Sequence, residues 1–488
     1  MTGPQIPALP GLVLWTAGLT WLAQDNPFFW DTVQLGSKHA HHFYENSFRL
    51  PWLLPPALDS GHPPTFGLYL ALCWKLFGKT LAVSHWAMFP FLLVINYLLL
   101  KIGQSFSNHK TALLLPLLVW ADPVFAAQAI LISPDIPLVA FLLLGLWGII
   151  SRNPLVLGIA IFGLGFISMR GMMVAFALYV WIVASAPEWR WYALFQKSRP
   201  FLPGGFAVLG WLIYHYYHTG WVGFHADSPW SGSFEPVSTK GFLRNLLVCI
   251  WRMLDFGRIF ILLILSGLCF SLLKKRYKLP IAQYPRIREM GLLCLCLAFV
   301  LFLPAMGFKS LSAHRYLLPL FLALSMLVWL LIESIPERPT LRVSLTAIAI
   351  LGLATGNFWQ YPEHISTGWD ATLSHWPYYQ LRREAISFMQ NNNIEPRQVG
   401  TAFPEIGQIH HRDLSYSKEE FKNKNLDTDT YILWSNIMND YSDQERARLQ
   451  TDWQSLMEWE KGAVRIILYF NPNRLISTSG SNALSPKR

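Results

Sequence analysis

About eleven apolar runs, each near the roughly 20 residues that cross a hydrocarbon layer about 30 Å thick as a helix, constrain this 488-residue chain more than any other feature. They fall at approximately 7–24, 83–102, 111–129, 134–150, 154–169, 171–186, 202–219, 255–273, 290–308, 315–334 and 340–359. Only 14% of the residues are charged, well below the about one quarter of a soluble domain, so most of this apolar length has no aqueous surface to fold beneath. The chain is therefore predicted to be mainly α, a polytopic membrane protein with about eleven transmembrane helices plus interfacial helices. Residues 1–24 lack a basic leader and a small-residue cleavage site, which predicts an uncleaved first span. Segment 64–78 is shorter, opens on Pro63-Pro64 and ends at Gly78, as expected of a helix lying along the interface.

Loop charge orients these runs. Lys101 with Lys110, Arg152, Arg190 with Lys197 and Arg199, the run from Lys274 to Arg288, and Arg338 with Arg342 all fall on one side when the N-terminus is cytoplasmic. Counting segment 64–78 as a span would invert every later loop, so it is excluded. The net charge of +10 is then explained by topology and lipid headgroup contact rather than by nucleic acid. The opposite, extracytoplasmic face receives loop 25–82, the turns near 130–135 and 169–171, loops 220–254 and 308–315, and everything after 360.

Composition changes at 360. Residues 1–359 form the membrane unit. Residues 360–477 read as a small extracytoplasmic α/β domain, with helix-like stretches Tyr378–Asn391 and Ser442–Trp459 and strand-like runs Gln398–Ala402, Tyr431–Ser435 and Ala463–Phe470. The Ser-rich stretch 478–488 reads as disordered. The five cysteines all lie in apolar stretches and read as small buried hydrophobes. No internal repeat, P-loop or zinc-spaced Cys/His set is present.

Chemistry concentrates on the extracytoplasmic face. The first loop carries Asp31 among aromatic residues, and Asp135 opens a span in Ser133-Pro134-Asp135-Ile136-Pro137. Asp31 with Gln34 also has capping-box spacing, and Asp135 in a first helical turn is also favoured by the helix dipole, so both acids keep a structural alternative. Arg170, Lys309, and His314 with Arg315 face outward against the charge rule; each alone reads equally as a snorkelling anchor. Together they suit transfer of a group from a lipid phosphate, which needs cations for the leaving phosphate and one carboxylate to take the acceptor's proton. His39, His41 and His42 with Glu45 have spacing that fits a metal on one helix face, but partly solvated loop histidines are the preferred reading; no metal ligands are assigned, and a divalent metal stays open. His410-His411 in the tail is weaker still.

Several of these motifs resemble a known family. Gly61-His62-Pro63-Pro64-Thr65-Phe66-Gly67-Leu68-Tyr69, followed by Lys75-Leu76-Phe77-Gly78, is similar to the HPPL(Y) to KLFG segment of GT-C membrane glycosyltransferases, in the branch of dolichyl-phosphate-mannose protein mannosyltransferases and lipid A aminoarabinose transferases (glycosyltransferase family 39-like). Asp31 matches the position of that family's catalytic acid, and Ser133-Pro134-Asp135 resembles its second acidic motif. His314-Arg315-Tyr316-Leu317-Leu318-Pro319 is similar to its (H/E)RYLLP motif, and Arg170-Gly171 stands where many members have Lys-Gly. The resemblance spans about residues 1–335 and departs at Thr32, where members often carry Glu after the first Asp.

The resemblance implies an integral membrane enzyme, in a bacterial inner membrane with its site on the periplasmic side, moving a sugar from a polyprenyl-phosphate donor to a protein, lipid or glycan acceptor. Asp31 is expected as base and Lys309, His314 and Arg315 as phosphate holders. Asp135 is expected as the second catalytic acid, Arg170 and Tyr316 are expected to bind the substrates, and His62 is expected to bind them too by fixing the loop. Two other classes stay open: a transporter or flippase for a lipid-linked saccharide, and an assembly subunit bound through the tail.

Overall fold

A computed structural model describes residues 8–477, apart from 107–110, 187–190, 224, 229, 275–279, 281–282, 337 and 366. The tail 478–488, together with Lys110, Arg190 and most of the basic run after Lys274, lies outside the described residues.

Each of the about eleven apolar runs holds helix, but they are not equivalent. Leu81–Phe106, Tyr284–Gly307, His314–Glu333 and Pro339–Phe358 are long and apolar enough to cross a membrane unaided. Pro123–Ile130 with Asp135–Ile150, and Thr239–Leu254 with Arg258–Leu273, reach that length only as pairs bent by 118° and 87°. The chain is an integral membrane protein: side chains such as Leu209, Ile213, Leu263, Leu295, Phe299, Val343 and Leu351 stand exposed around the bundle, a surface that only lipid solvates well.

Polar punctuation sets the breaks. The run expected at 111–129 is two helices, Leu114–Ala121 and Pro123–Ile130, because Asp122 accepts from the backbone N–H groups of Val124 at 2.8 Å and Phe125 at 3.3 Å and Pro123 cannot continue the preceding hydrogen-bond ladder. The Asp122 carboxylate is matched by Arg258 at 3.2 Å. At the second bend Gly257 has φ +79°, and a Cβ there would stand 2.1 Å from the Gly352 carbonyl oxygen. Loop 220–254, expected as an extracytoplasmic connection, contains the helix Thr239–Leu254, capped by Ser238. Its Lys240, Arg244 and Arg252 alternate with Leu243, Leu247 and Ile250, the pattern of an interfacial helix, and Asn245 Nδ2 donates to the Phe308 carbonyl at 2.8 Å.

Helix Leu318–Glu333 is apolar on all sides and buried from Leu318 to Ile332, so it forms the axis of the bundle. Helix Thr65–Phe77, the interfacial segment of the sequence reading, is 13 residues long and buries Phe66, Leu70 and Trp74 against the first loop.

After the last long helix the chain builds a mixed six-stranded sheet: β1 Val399–Thr401, β2 Gly407–Gln408, β3 Glu420–Asn423, β4 Tyr431–Ser435, β5 Gln454–Lys461 and β6 Val464–Phe470, in order β2-β3-β1-β4-β6-β5. Strands β3, β1 and β4 run parallel and the remaining pairs antiparallel. Three of the expected strand-like runs become β1, β4 and β6. The expected helix Ser442–Trp459 stops at Asp452, and residues from Gln454 instead pair with β6 as an exposed edge strand. That strand depends on a hairpin partner, which helical periodicity cannot reveal. Helix Pro377–Asn391, close to the expected Tyr378–Asn391, covers β5 and β6.

The core of this unit includes Phe29 and Leu131 from the membrane part. Phe29 stacks on His375 at 4.8 Å, and the Phe28 N–H donates to the Arg412 carbonyl at 3.0 Å. Beneath that contact Glu405 is buried with Arg382 at 2.7 Å and Arg412 at 3.1 Å, and accepts from the Tyr378 hydroxyl at 2.8 Å. Burial works to raise the Glu405 pKa, but the two guanidinium groups hold it below the usual carboxylate range. Its contribution is therefore present above the unfolded carboxylate pKa and lost as pH falls through the depressed folded value. Glu405→Gln should lower unfolding free energy by about 3 kcal/mol at pH 7, with the deficit shrinking in acid; thermal unfolding in detergent at several pH values measures both.

Candidate active site

Arg315 sits on the short 3-10 turn His314–Leu317 that leads into the buried axial helix, and only 3% of its surface is exposed. All three of its donor nitrogens meet carboxylates. Nη2 contacts Asp31, Nη1 stands 3.3 Å from Asp135 Oδ2, and Nε stands 3.0 Å from Asp370 Oδ2. The other Asp135 oxygen is held by Arg170 Nη1. The Arg170 guanidinium lies 4.3 Å over the Tyr316 ring, and the Tyr316 hydroxyl accepts from Arg315 Nη2 at 3.3 Å.

Each group is delivered by local structure. Asp31 follows Trp30, whose φ of +52° turns the chain between the first helix and the next; Thr32 Oγ bridges back to the Phe29 N–H and carbonyl. The Asp31 carboxylate is turned to Arg315 rather than to the backbone of its own helix. Asp135 is the first residue of its helix, at the 118° bend. Ser133 closes that bend, with its Oγ accepting from the Asp135 N–H at 3.2 Å. Arg170 opens the helix Met169–Ala184, which Ser168 caps, and His62 Nδ1 accepts from the Met169 N–H at 3.1 Å. Burial, with Arg170 nearby, pushes the His62 pKa down to about 3, so it acts here as a neutral acceptor.

Asp31, Asp135, Arg170, Arg315 and Tyr316 thus converge, and His62 braces the turn carrying Arg170. Lys309 and His314 do not meet the cluster directly. Lys309 Nζ pairs with Glu235 at 2.7 Å, both side chains more than half exposed. His314 is buried and turns to a second polar group: its Nε2 lies 2.7 Å from Asp255 Oδ2, which Arg252 approaches at 3.4 Å, while the Tyr361 hydroxyl bonds the other Asp255 oxygen.

Sequence reading missed Asp370, on the 3-10 turn Trp369–Ala371 beyond the last span. Gln128 Nε2 donates to its carbonyl at 2.8 Å and so ties this connector to the bundle. The available signal was a Trp-Asp pair repeating Trp30-Asp31. With three carboxylates against two guanidinium groups, the full set carries one surplus negative charge. Burial accordingly pushes the Asp370 pKa up to about 6, opposed by Arg315 and reinforced by Asp31 and Asp135, and burial raises that of Asp31 as well. Asp31 is the least enclosed of the three, with 13% of its side chain exposed against 3% for Asp135 and 8% for Asp370.

The far end of the bundle is different. There a cavity of about 1270 Å³ is lined by Arg152, Lys197, Arg199 and Arg286 among others, which gathers basic residues from several separate connections.

Among solved structures, ArnT from Cupriavidus metallidurans bound to undecaprenyl phosphate superimposes with a TM-score of 0.54 at 11% identity, covering 94% of this chain and 97% of that one. The chain has the GT-C fold. The GT-C resemblance of the motifs and the architecture therefore agree. ArnT from the same organism in the apo state matches with a TM-score of 0.49 at 11% identity over 97% of this chain and 100% of that chain. The arabinofuranosyltransferase AftD from Mycobacteria matches with a TM-score of 0.45 at 11% identity over 96% of this chain but 40% of that chain. No protein-family model and no curated protein matches the sequence.

The charge count separates the acids by experiment. Asp135→Asn strips a partner from both arginines and should cost about 3 kcal/mol of stability. Asp370→Asn removes the surplus charge and should cost under about 1 kcal/mol at pH 7.5. An acid whose folded pKa is raised favours the folded state most below its unfolded pKa of 3.8 and loses that benefit as pH rises to about 6. The wild-type melting temperature should therefore fall over this window; in Asp370→Asn the slope should flatten to the part left by Asp31.

Proposed function

We propose that this protein is a membrane glycosyltransferase that moves a sugar from a polyprenyl-phosphate donor to a hydroxyl or phosphate acceptor on a protein, lipid or glycan outside the cytoplasm. The observation that carries this reading is the meeting of Asp31, Asp135, Arg170 and Arg315, from four distant segments, at one end of a fold shared with an undecaprenyl-phosphate-bound ArnT. The basic residues around the opposite cavity favour a cytoplasmic position for that end, which supports reading the acidic cluster as extracytoplasmic, periplasmic if the membrane is a bacterial inner membrane. The C-terminal sheet unit, 360–477, lies on that same side because Phe29 and Phe28 anchor it.

In this reading Asp31, the least enclosed carboxylate, takes the proton of an acceptor hydroxyl. The acceptor oxygen attacks the anomeric carbon as the bond from that carbon to the phosphate oxygen breaks, and the sugar inverts. The lipid phosphate departs as a monoester anion, so no general acid is needed. Arg315 and Arg170 hold it, exchanging one or more of their carboxylate contacts for charge-assisted hydrogen bonds to phosphate oxygens. In the poorly solvated site these contacts stabilise the leaving charge more than they would in water. Asp135 keeps both guanidinium groups in place during the exchange, and Tyr316 stacks beneath Arg170. His314 acts indirectly, anchoring the turn that carries Arg315 through Asp255. Lys309 with Glu235 fits a contact at the rim with an arriving headgroup.

The test is incubation of purified protein with a panel of radiolabelled polyprenyl-phosphate sugars and a membrane extract. Asp31→Asn should reduce transfer about 10²- to 10⁴-fold while the protein still binds undecaprenyl phosphate. Arg315→Lys, which keeps the charge and loses the fork, should weaken phosphate binding and transfer together. Full activity of the Asn variant would exclude the base role. Sugar crossing sealed vesicles without any labelled product would replace transfer by transport.

A further inference from the structure

The first outer helix and the C-terminal unit meet at a second constellation, apart from the acidic cluster. His41 and Glu45 lie one turn apart on helix His39–Glu45, and His410 lies on the turn His410–Asp413 of the C-terminal unit. Their ligand atoms all fall within 4.8 Å of one another. The His41 ring is 5.1 Å from that of His410 and 4.9 Å from that of His411, and the latter two are 4.2 Å apart. Three imidazoles and a carboxylate are thus brought together from sequence positions more than 360 residues apart.

The hydrogen bonding around His41 is that of a ligand held ready. Its Nδ1 faces the Ser37 carbonyl at 2.9 Å, which places the proton on Nδ1 and leaves the Nε2 lone pair free. Only 2% of the residue is exposed, and Nε2 has no protein partner; His411 Nδ1 is likewise buried without one. Buried polar atoms normally find partners, so two orphaned ring nitrogens at one junction call for an explanation. The neighbouring histidines of the helix are committed elsewhere: His39 Nε2 bonds the Leu58 carbonyl at 3.0 Å, and His42 faces Asn46. Among the cations near the cluster, Lys79 approaches Glu45 at 3.8 Å and lies over the Tyr44 and Trp74 rings, so it can stay on those rings when Glu45 turns away, while Lys38 and Arg412 stand near His411.

We propose that His41, Glu45 and His410 bind one divalent transition-metal ion, with His411 as fourth ligand or its support, and that the ion fastens the C-terminal unit to the helix following Asp31. Two or three imidazoles with one carboxylate select zinc over magnesium or calcium, which prefer oxygen ligands. Tetrahedral zinc sets its ligand atoms about 3.3 Å apart, so no pair need close by more than roughly 1.5 Å. Glu45 is exposed and His410 half-buried, and their side chains are free to make that movement. The fastening acts beside the Phe28 to Arg412 hydrogen bond and so helps to place the loop that presents Asp31.

Tag-free full-length protein in detergent should carry about one zinc per chain by elemental analysis, and chelation should lower its melting temperature until zinc, not magnesium, is restored. Glu45→Gln and His410→Asn, at accessible positions that leave the buried His41 intact, should each weaken zinc binding by about tenfold or more and abolish the chelator-induced shift. Cobalt bound in place of zinc should give visible absorption that both variants lose. A protein that gains no thermal stability from zinc and retains less than about a tenth of an ion per chain would overturn the proposal. So would variants that bind zinc as tightly as the wild type.

Discussion

A single guanidinium group holds this structure's chemistry together. Arg315 is buried at the tip of the axial helix, and its three nitrogens are matched by carboxylates from the first loop, the bend before the fourth apolar run and the connector to the sheet unit. A lone arginine in that position would be prohibitively costly to desolvate; three acids make it tolerable, and a second arginine offsets their repulsion. Both arginines lean on Asp135, which pairs with each of them, whereas Asp370 meets Arg315 alone. Arg315 can receive an anion: its three nitrogens already bond oxygens of separate carboxylates, and a phosphate offers oxygens that accept from the same fork with more charge.

The docking of the sheet unit follows from that hub. Asp370 reaches Arg315 while Gln128 holds the Asp370 carbonyl, and Phe29, two residues before Asp31, is buried in the core of the C-terminal unit. The residues flanking the proposed base are therefore shared between two cores, and movement of one unit is felt by the other. The bends that permit this are made by polar residues inside apolar runs. Asp122 and Pro123 break one run, Ser133 and Pro134 turn the next, and Gly257 admits the close approach of Gly352.

Much of this was legible in the sequence, for identifiable reasons. Apolar runs near span length marked the helices, and the outward charges Asp31, Asp135, Arg170 and Arg315 stood out because burying them near lipid is costly. Lys309 sent the same signal, yet the exposed partner Glu235 satisfies it at the surface, and spacing does not show which charge will be covered. His314 and Arg315 are adjacent but point to different networks because a tight 3-10 turn fans successive side chains apart. Asp370 left no periodic trace in its turn, and the edge strand from Gln454 exists only through its pairing with Val464–Phe470. The meeting of His41 with His410 was hidden similarly, since each pair of histidines looks unremarkable until the two units dock.

Helix Leu318–Glu333, enclosed by its neighbours from Leu318 to Ile332, touches almost no lipid, whereas Pro339–Phe358 at the periphery is mostly exposed to it. A bilayer that thickens, thins or changes its acyl composition acts first on outer helices, through tilt and mismatch. The axis bearing Arg315 is insulated from that stress by a full layer of protein. Its electrostatic anchor point should accordingly hold its register as growth temperature or fatty-acid saturation alters the surrounding membrane.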